Sequence, residues 1–210
     1  MRRRALILAG ALALGACGRK NAAAGVAVPA GSTVIALGDS ITFGTGADSA
    51  AAYPAQLAAL TGWNVVNAGV PGDSAAQAAE RLPALLAEHK PTLVIVSAGG
   101  NDFLRHAPAA ETEAALRGAI GLARDTGAQV LLVAVPQPTI GAALGVGLSD
   151  HPLYAKLADE LKLPLHANGW AQVLGNDKLR SDPIHANAAG YRAFAEGLAA
   201  TLRSTGHLNN

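Results

Sequence analysis

Cysteine occurs once in this chain, at position 17, so no internal disulfide can staple the fold. Aromatic residues make up 4% of the 210 residues. With so few rings and no basic stripe, the chain lacks the stacking platform and electrostatic footprint of a nucleic-acid binder. His89, His106, His151, His166 and His207 are scattered, and no pair has metal-ligand spacing, so neither a metal nor any other cofactor is expected. Gly145-Val146-Gly147 is a lone Gly-x-Gly that opens no helix after a strand, which argues against dinucleotide binding. Gly-x-Ser-x-Gly is missing too, because Thr42 stands where its second glycine would be; this disfavours an α/β-hydrolase elbow. Charge of either sign is in short supply. The 16 Lys and Arg residues fall to 13 against 15 acids once Arg2, Arg3 and Arg4 are set aside, so no strongly charged partner is implied.

What is present is aliphatic. Half of the residues are hydrophobic, which is enough for one domain with a core expected from Ala, Leu and Val. The first residues read differently. Met1-Arg2-Arg3-Arg4 is a positive n-region, and Ala5 to Ala16 is an apolar run too short to cross a bilayer core of about 30 Å. Residues 1–16 are therefore expected to be a secretory signal, and the Ala- and Gly-rich residues 17–32 a flexible tether. The domain proper is expected over 33–204, followed by a tail at 205–210.

Within the domain, short apolar runs alternate with helical patterns. Strands are expected at 33–37, 63–67, 93–97, 129–135 and around Leu165. Helices are expected at 50–61, 75–89, 109–126, 152–162 and 187–204. Tyr53, Gln56, Leu57 and Leu60 have helical spacing, and Leu82, Leu85 and Leu86 form the buried stripe of the second helix. Ser74 and Gln77 have capping-box spacing at its start. Strand–helix alternation around buried-looking strands predicts a parallel α/β fold, three layers deep and flavodoxin-like, with a five-stranded sheet. In such sheets the ligand site lies beyond the carboxyl ends of the strands. That edge collects Ser40, the 69–74 loop and Gly99-Gly100-Asn101-Asp102. The Gly- and Ala-rich segment 136–150 is expected to border it.

Thr33-Val-Ile-Ala-Leu-Gly38 reads as a buried strand stopped by a tight turn that lifts Ser40 off the sheet edge. A serine is a weak nucleophile until a base takes its proton. Ser181-Asp182-Pro183-Ile184-His185 supplies the candidate base, His185, and an acid, Asp182, placed to fix its tautomer. Backbone amides of Ser40 and Gly72 and the side-chain amide of Asn101 are candidate donors to an oxyanion. The second Gly-Asp-Ser, at 72–74, follows a loop, so Ser74 reads as a helix cap. Asp39 is expected to bond the loop backbone, while the role of Asp102 stays open.

These segments carry a resemblance. Gly-Asp-Ser (38–40), Gly72 within Asn-Ala-Gly-Val-Pro-Gly-Asp (67–73), Gly-Gly-Asn-Asp (99–102) and Asp-Pro-Ile-His (182–185) resemble, in order, the four blocks of the GDSL or SGNH hydrolases. Arg-Leu-Pro-Ala-Leu-Leu-Ala-Glu-His-Lys-Pro (81–91) is similar to the bacterial periplasmic thioesterase, lysophospholipase and arylesterase branch. The resemblance implies a serine esterase with Ser40, Asp182 and His185 as triad and Ser40, Gly72 and Asn101 as oxyanion donors. Its substrate would be a small ester, thioester or lipid-like molecule, and it would act as a monomer. Ile41 replaces the commoner Leu, Ala186 replaces the usual Pro, and segment 136–150 departs from the branch. The superfamily also holds carbohydrate O-acetylesterases, and a non-catalytic envelope lipoprotein is the alternative of another class. A pocket lined by Leu or Val would favour longer acyl chains, whereas a shallow polar one would favour acetyl. Leu14-Gly15-Ala16-Cys17 resembles a bacterial lipobox. That resemblance implies lipidation of Cys17 and a membrane anchor in the cell envelope, facing the periplasm or the exterior.

Overall fold

A computed structural model describes residues 25–137 and 147–209 of the chain. Cys17, the expected signal and part of segment 136–150 lie outside the described residues. Five strands, β1 (Thr33–Gly38), β2 (Asn64–Gly69), β3 (Leu93–Ser97), β4 (Gln129–Val133) and β5 (Leu165–His166), pair in the order β2-β1-β3-β4-β5, all parallel. Central β3 is Leu-Val-Ile-Val-Ser and buried throughout, as a strand covered on both faces must be.

The period of two along the strands sorts their side chains between two helical layers. Ile35, Leu37, Val94 and Val96 pack with α3 (Ala75–His89), α5 (Ala109–Asp125) and α6 (Pro152–Leu161). Val34, Ala36, Leu93 and Ile95 pack on the other face with α2 (Tyr53–Thr61), α7 (Gly169–Leu174) and α8 (Ala188–Ser204). The first face is largely aliphatic, as expected. The second is aliphatic too, but it also gathers Tyr53, Trp63, Trp170, Tyr191 and Phe194 from the few aromatics of the chain. Trp170 stacks on Phe194 with centroids 3.6 Å apart, and Tyr53 and Tyr191 meet these rings edge-on.

The start of α3 shows why its bounds were readable. Ser74 Oγ accepts from Gln77 N at 3.2 Å, and Gln77 Oε1 accepts from Ser74 N at 2.9 Å. This reciprocal pair satisfies two donors that an uncapped helix leaves open. Leu82 and Leu86 are buried along its stripe, and Leu85 is half-buried. On α2, Tyr53 and Leu57 are buried, but Leu60 is 40% exposed.

The tether and tail boundaries need correction. Residues 25–32 are bound to the domain, through Gly25 N to Thr205 O (2.7 Å), Val28 N to His207 O (2.8 Å) and Gly31 N to Gly62 O (2.8 Å). Val28 is buried and accepts from Trp63 Nε1. His207 is also buried, and Leu208 packs against the core. The Ala and Gly composition suggested a free chain, but this segment is held by its backbone.

Among the described residues, three short α-helices lie beyond those expected: α1 (Ser40–Phe43), α4 (Gly100–Leu104) and α7. The first two follow directly on the C-terminal ends of β1 and β3, where the site forms.

Candidate active site

β1 ends at Gly38, where packing leaves no space for a side chain. A Cβ there would lie 2.2 Å from Thr42 Oγ1 and 2.4 Å from Ser97 O. Asp39 then leaves the strand and caps the single turn α1, its Oδ1 accepting from Ile41 N at 3.1 Å. Ser40 is thus the first residue of a turn pinned at both ends.

The partner loop comes from 145 residues away. Asp182 Oδ1 accepts from the backbone N–H groups of Ile184 (2.9 Å) and His185 (2.8 Å), which closes a tight turn around Pro183. Its other oxygen, Oδ2, lies 2.7 Å from His185 Nδ1. Burial works to raise the Asp182 pKa, but the hydrogen bond from His185 and the Ile184 amide outweigh it, and the carboxyl titrates below its ordinary value. An ionised carboxylate only accepts, so Nδ1 carries the proton and Nε2 is left as an acceptor. His185 Nε2 lies 3.0 Å from Ser40 Oγ, so the serine hydroxyl can donate to it. Serine, histidine and aspartate stand in one continuous hydrogen-bonded chain.

The 70–73 loop is a turn in which Asp73 N donates to Val70 O at 3.1 Å. Pro71 and Gly72 occupy its central positions, and Gly72 has φ +86°, the left-handed value that a type II turn requires at its third residue. Asn101, from α4, donates Nδ2–H to Asp73 O at 3.0 Å. Its amide carries a second N–H. The backbone N–H groups of Ser40 and Gly72 donate to no protein acceptor among the described residues. Arg81 braces the same region, with Nε on Asp73 Oδ2 (2.9 Å) and Nη2 on Gly38 O (3.3 Å) and Ala68 O (3.1 Å). Asp102, whose role the sequence left open, is buried and accepts from Ala75 N at 2.8 Å and Thr112 Oγ1 at 3.3 Å. It anchors the start of α3 rather than touching His185.

Asp39 is 3% exposed. Burial pushes its carboxyl from 3.8 up to about 7; the Ile41 amide and His185 pull it down, and Asp102 and Asp73 push it further up. A carboxyl far harder to ionise than an ordinary aspartate therefore sits beside the serine.

Ser40 and Asn101 line a cavity of about 240 Å³. Its walls are mostly apolar: Ile41, Leu104, Val135, Leu148, Leu174 and Ile184. Leu104 and Ile184 are 46% and 44% exposed and stand at its mouth. Pro136, Gln137 and Leu148 are also in the wall, so the described ends of segment 136–150 do border the site. Gly72 is not in the wall; its turn is held beside the cavity by α4.

With this geometry in hand, comparison with known proteins is decisive. Residues 36–193 match the GDSL-like Lipase/Acylhydrolase family. The chain belongs to that family. It is 34% identical to Esterase TesA of Pseudomonas aeruginosa over 95% of this chain and 98% of that protein. It is also 34% identical to Thioesterase 1/protease 1/lysophospholipase L1 of Escherichia coli, over 83% and 85% of the two chains. A crystal structure of TesA, 33% identical, superposes with a TM-score of 0.72 and covers 82% of this chain and 99% of its own. The doubly covered parallel sheet is thus the fold of this GDSL hydrolase, as expected.

Of the expected site residues, the structure joins Ser40, His185 and Asp182 directly and brings Asn101 into the same cavity. Sequence reasoning missed Arg81 and Arg105, which hold the loop backbone. Arg105 reaches a carbonyl oxygen, and Arg81 reaches two beside the Asp73 carboxylate; no residue pattern announces a backbone acceptor. The remaining histidines do other work. His151 caps α6 and stacks on Phe103 at 4.2 Å. His166 is buried, with Nδ1 2.8 Å from Thr201 Oγ1 and Nε2 without a partner. No group of three His, Cys, Asp or Glu residues among the described residues is arranged to hold a metal.

Proposed function

We propose that this GDSL-family ester hydrolase uses Ser40 as nucleophile, His185 as general base and acid, and Asp182 to orient the imidazole. As Ser40 Oγ attacks the acyl carbon, Nε2 takes the hydroxyl proton. The oxyanion is received by the N–H groups of Ser40 and Gly72 and by the free N–H of Asn101. Collapse expels an alcohol or thiol that takes the proton back from His185 and leaves an acyl-Ser40 ester. Water, deprotonated by the same imidazole, then releases the acid.

The substrates are short- to medium-chain acyl esters or thioesters, and the observation that carries this is the apolar wall beside Ser40. A hydrocarbon chain gains about 0.8 kcal/mol for each methylene it buries, close to fourfold in rate per carbon. An acetyl group would leave Leu104, Leu174 and Ile184 without a partner, which weighs against acetyl-only hydrolysis. Rates over nitrophenyl esters from acetyl to long acyl test this: kcat/KM should climb with each carbon until the cavity is full. A series flat from acetyl onward would sink the acyl assignment. Ser40→Ala should lower kcat by about 10⁴ or more with folding unchanged, and a serine-directed phosphonate should label Ser40. Loss of activity in Ser74→Ala but not in Ser40→Ala would overturn the nucleophile.

The Arg-rich start, the short apolar run and the lipobox-like Leu14-Gly15-Ala16-Cys17 support an enzyme lipid-anchored through Cys17 in the bacterial envelope. No helix of the described residues is long and apolar enough to cross a membrane. Near the start of the described residues, Val26 is bonded to Gln129, the first residue of β4, at the edge of the sheet opposite Ser40. An anchor before it would leave the site edge free. Cys17→Ser should abolish lipidation and release the enzyme from the membrane fraction; a wild-type protein that fractionates as fully soluble would refute the anchor.

A further inference from the structure

α4 and the residue that caps its end grip the oxyanion loop and the adjoining start of α3 at three points. Asn101 donates to the Asp73 carbonyl at 3.0 Å. Asp102 accepts from the N–H of Ala75 at 2.8 Å. Arg105, one turn on, donates from Nη2 to the Gly72 carbonyl at 2.8 Å. The first two bonds hold the far side of the turn. Only the third reaches Gly72 itself.

That residue needs holding. Glycine populates left- and right-handed backbone with similar ease. In a β-turn, rotation of the central peptide exchanges type II for type I and reverses the N–H of the third residue. Here that N–H is the Gly72 amide. The hydrogen bond from Asp73 N to Val70 O forms in either turn type, so it does not choose between them. The Gly72 carbonyl, once tied to α4, fixes where the glycine sits relative to the helix that carries Asn101.

We infer that Arg105 is a positioning residue for the oxyanion hole, coupling the Gly72 amide to Asn101 so that the two donors act as one rigid unit. The inference rests on the Ser40 reading above. Arg105 is exposed and its partner is a backbone oxygen, so its removal takes away alignment while leaving Ser40, His185 and Asp182 in place. Complete loss of one oxyanion donor costs about 10²–10³ in kcat. A donor that is kept but misaligned should cost less, about 10-fold to 10²-fold.

The test compares Arg105→Ala with Arg124→Ala, since Arg124 also donates Nη2 to a backbone carbonyl, Leu161 O at 2.8 Å, far from the site. On a soluble nitrophenyl ester, Arg105→Ala should lower kcat by at least about 10-fold with KM little changed. It should slow phosphonate labelling of Ser40 in parallel, and Arg105→Lys or added guanidinium should restore part of the rate. Arg124→Ala should match wild type. Arg105→Gln gives the same comparison if the alanine variant fails to fold. An Arg105→Ala kcat within twofold of wild type, an effect on KM alone, or an equal loss in Arg124→Ala would overturn the inference. Ser40→Ala, run alongside, separates the two levels: activity surviving there overturns the nucleophile, whereas a dead Ser40→Ala with an unaffected Arg105→Ala overturns only the positioning role.

Discussion

Replacing Asp39 with asparagine should make the protein more stable and the enzyme slower, and pH should tune both effects. The carboxyl is 3% exposed, accepts one backbone N–H from Ile41, and titrates at about 7 instead of 3.8. Below pH 3.8 the carboxyl is protonated in both folded and unfolded chains and does not affect stability differentially. Between 3.8 and about 7 the unfolded chain has released its proton while the native protein keeps it, so native stability falls as pH rises. Above about 7 the full penalty is present. At about 1.4 kcal/mol per pH unit, the span amounts to about 4 kcal/mol. Asparagine escapes this penalty because it cannot ionise, and its side-chain oxygen can still accept from Ile41 N and cap α1.

Urea unfolding of wild type and Asp39→Asn should therefore nearly coincide near pH 4 and diverge toward pH 8. With a urea slope of about 2 kcal/mol/M, the variant's midpoint should lie about 2 M higher at pH 8. Activity should move the other way. The Asp39 anion lies close enough to His185 for each charge to favour the other, and His185 becomes an imidazolium when it takes the Ser40 proton. Removing the anion should lower kcat, with KM little changed, and the deficit should grow as pH rises through 7. A stability difference that does not change between pH 4 and 8 would refute the reasoning, as would an asparagine variant less stable than wild type at pH 8. Either result would mean that the buried carboxyl does not carry the cost assigned to it.

Asn101→Ala should lower kcat by about 10²–10³ while KM moves far less; a pure KM effect would remove Asn101 from the oxyanion hole. His166 should make the protein acid-sensitive. Burial lowers its pKa from 6.5 to about 4, so its neutral form supports the fold fully above pH 6.5. That support, about 3 kcal/mol, is lost as pH falls through about 4. His166→Gln should flatten this part of the stability curve in urea titrations between pH 7 and 4, and an unchanged slope would exclude His166 as the sensor.

Much of this architecture could be read before any coordinates because local signals and the global fold agreed. The Ser74 and Gln77 pair bounded α3 at Ala75, and the apolar run from Leu93 to Ser97 bounded β3. Ser40, His185 and Asp182 could be named because each sits in a short segment of distinctive residue types at one sheet edge. Helices α1, α4 and α7 stayed hidden because four to six residues are too few to show a helical period. The docking of residues 25–32 was misread for another reason: its hydrogen bonds are made by its own backbone groups, to backbone and to the side chains of Trp63, Asn64 and Gln129, so its composition carried no trace of them. The cavity was equally silent, since Leu104, Val135, Leu174 and Ile184 come from four separate segments and share a wall only after folding.

The hidden elements are also those that carry the chemistry. An isolated turn of helix is unstable, since nucleation fixes several dihedrals for a single hydrogen bond. Here α1 and α4 persist because side chains grip backbone: Asp39 on Ile41, Asn101 on Asp73, Arg105 on Gly72 and Asp102 on Ala75. These polar contacts do for the short helices what apolar stripes do for α3, α5 and α8. They hold Ser40 and Asn101 at fixed places without filling the space between them, which leaves room for an acyl group. The same groups thus serve as local structure and as site, and a substitution among them should change rate and local order together. The aliphatic core beneath supplies the stable edge on which both are built.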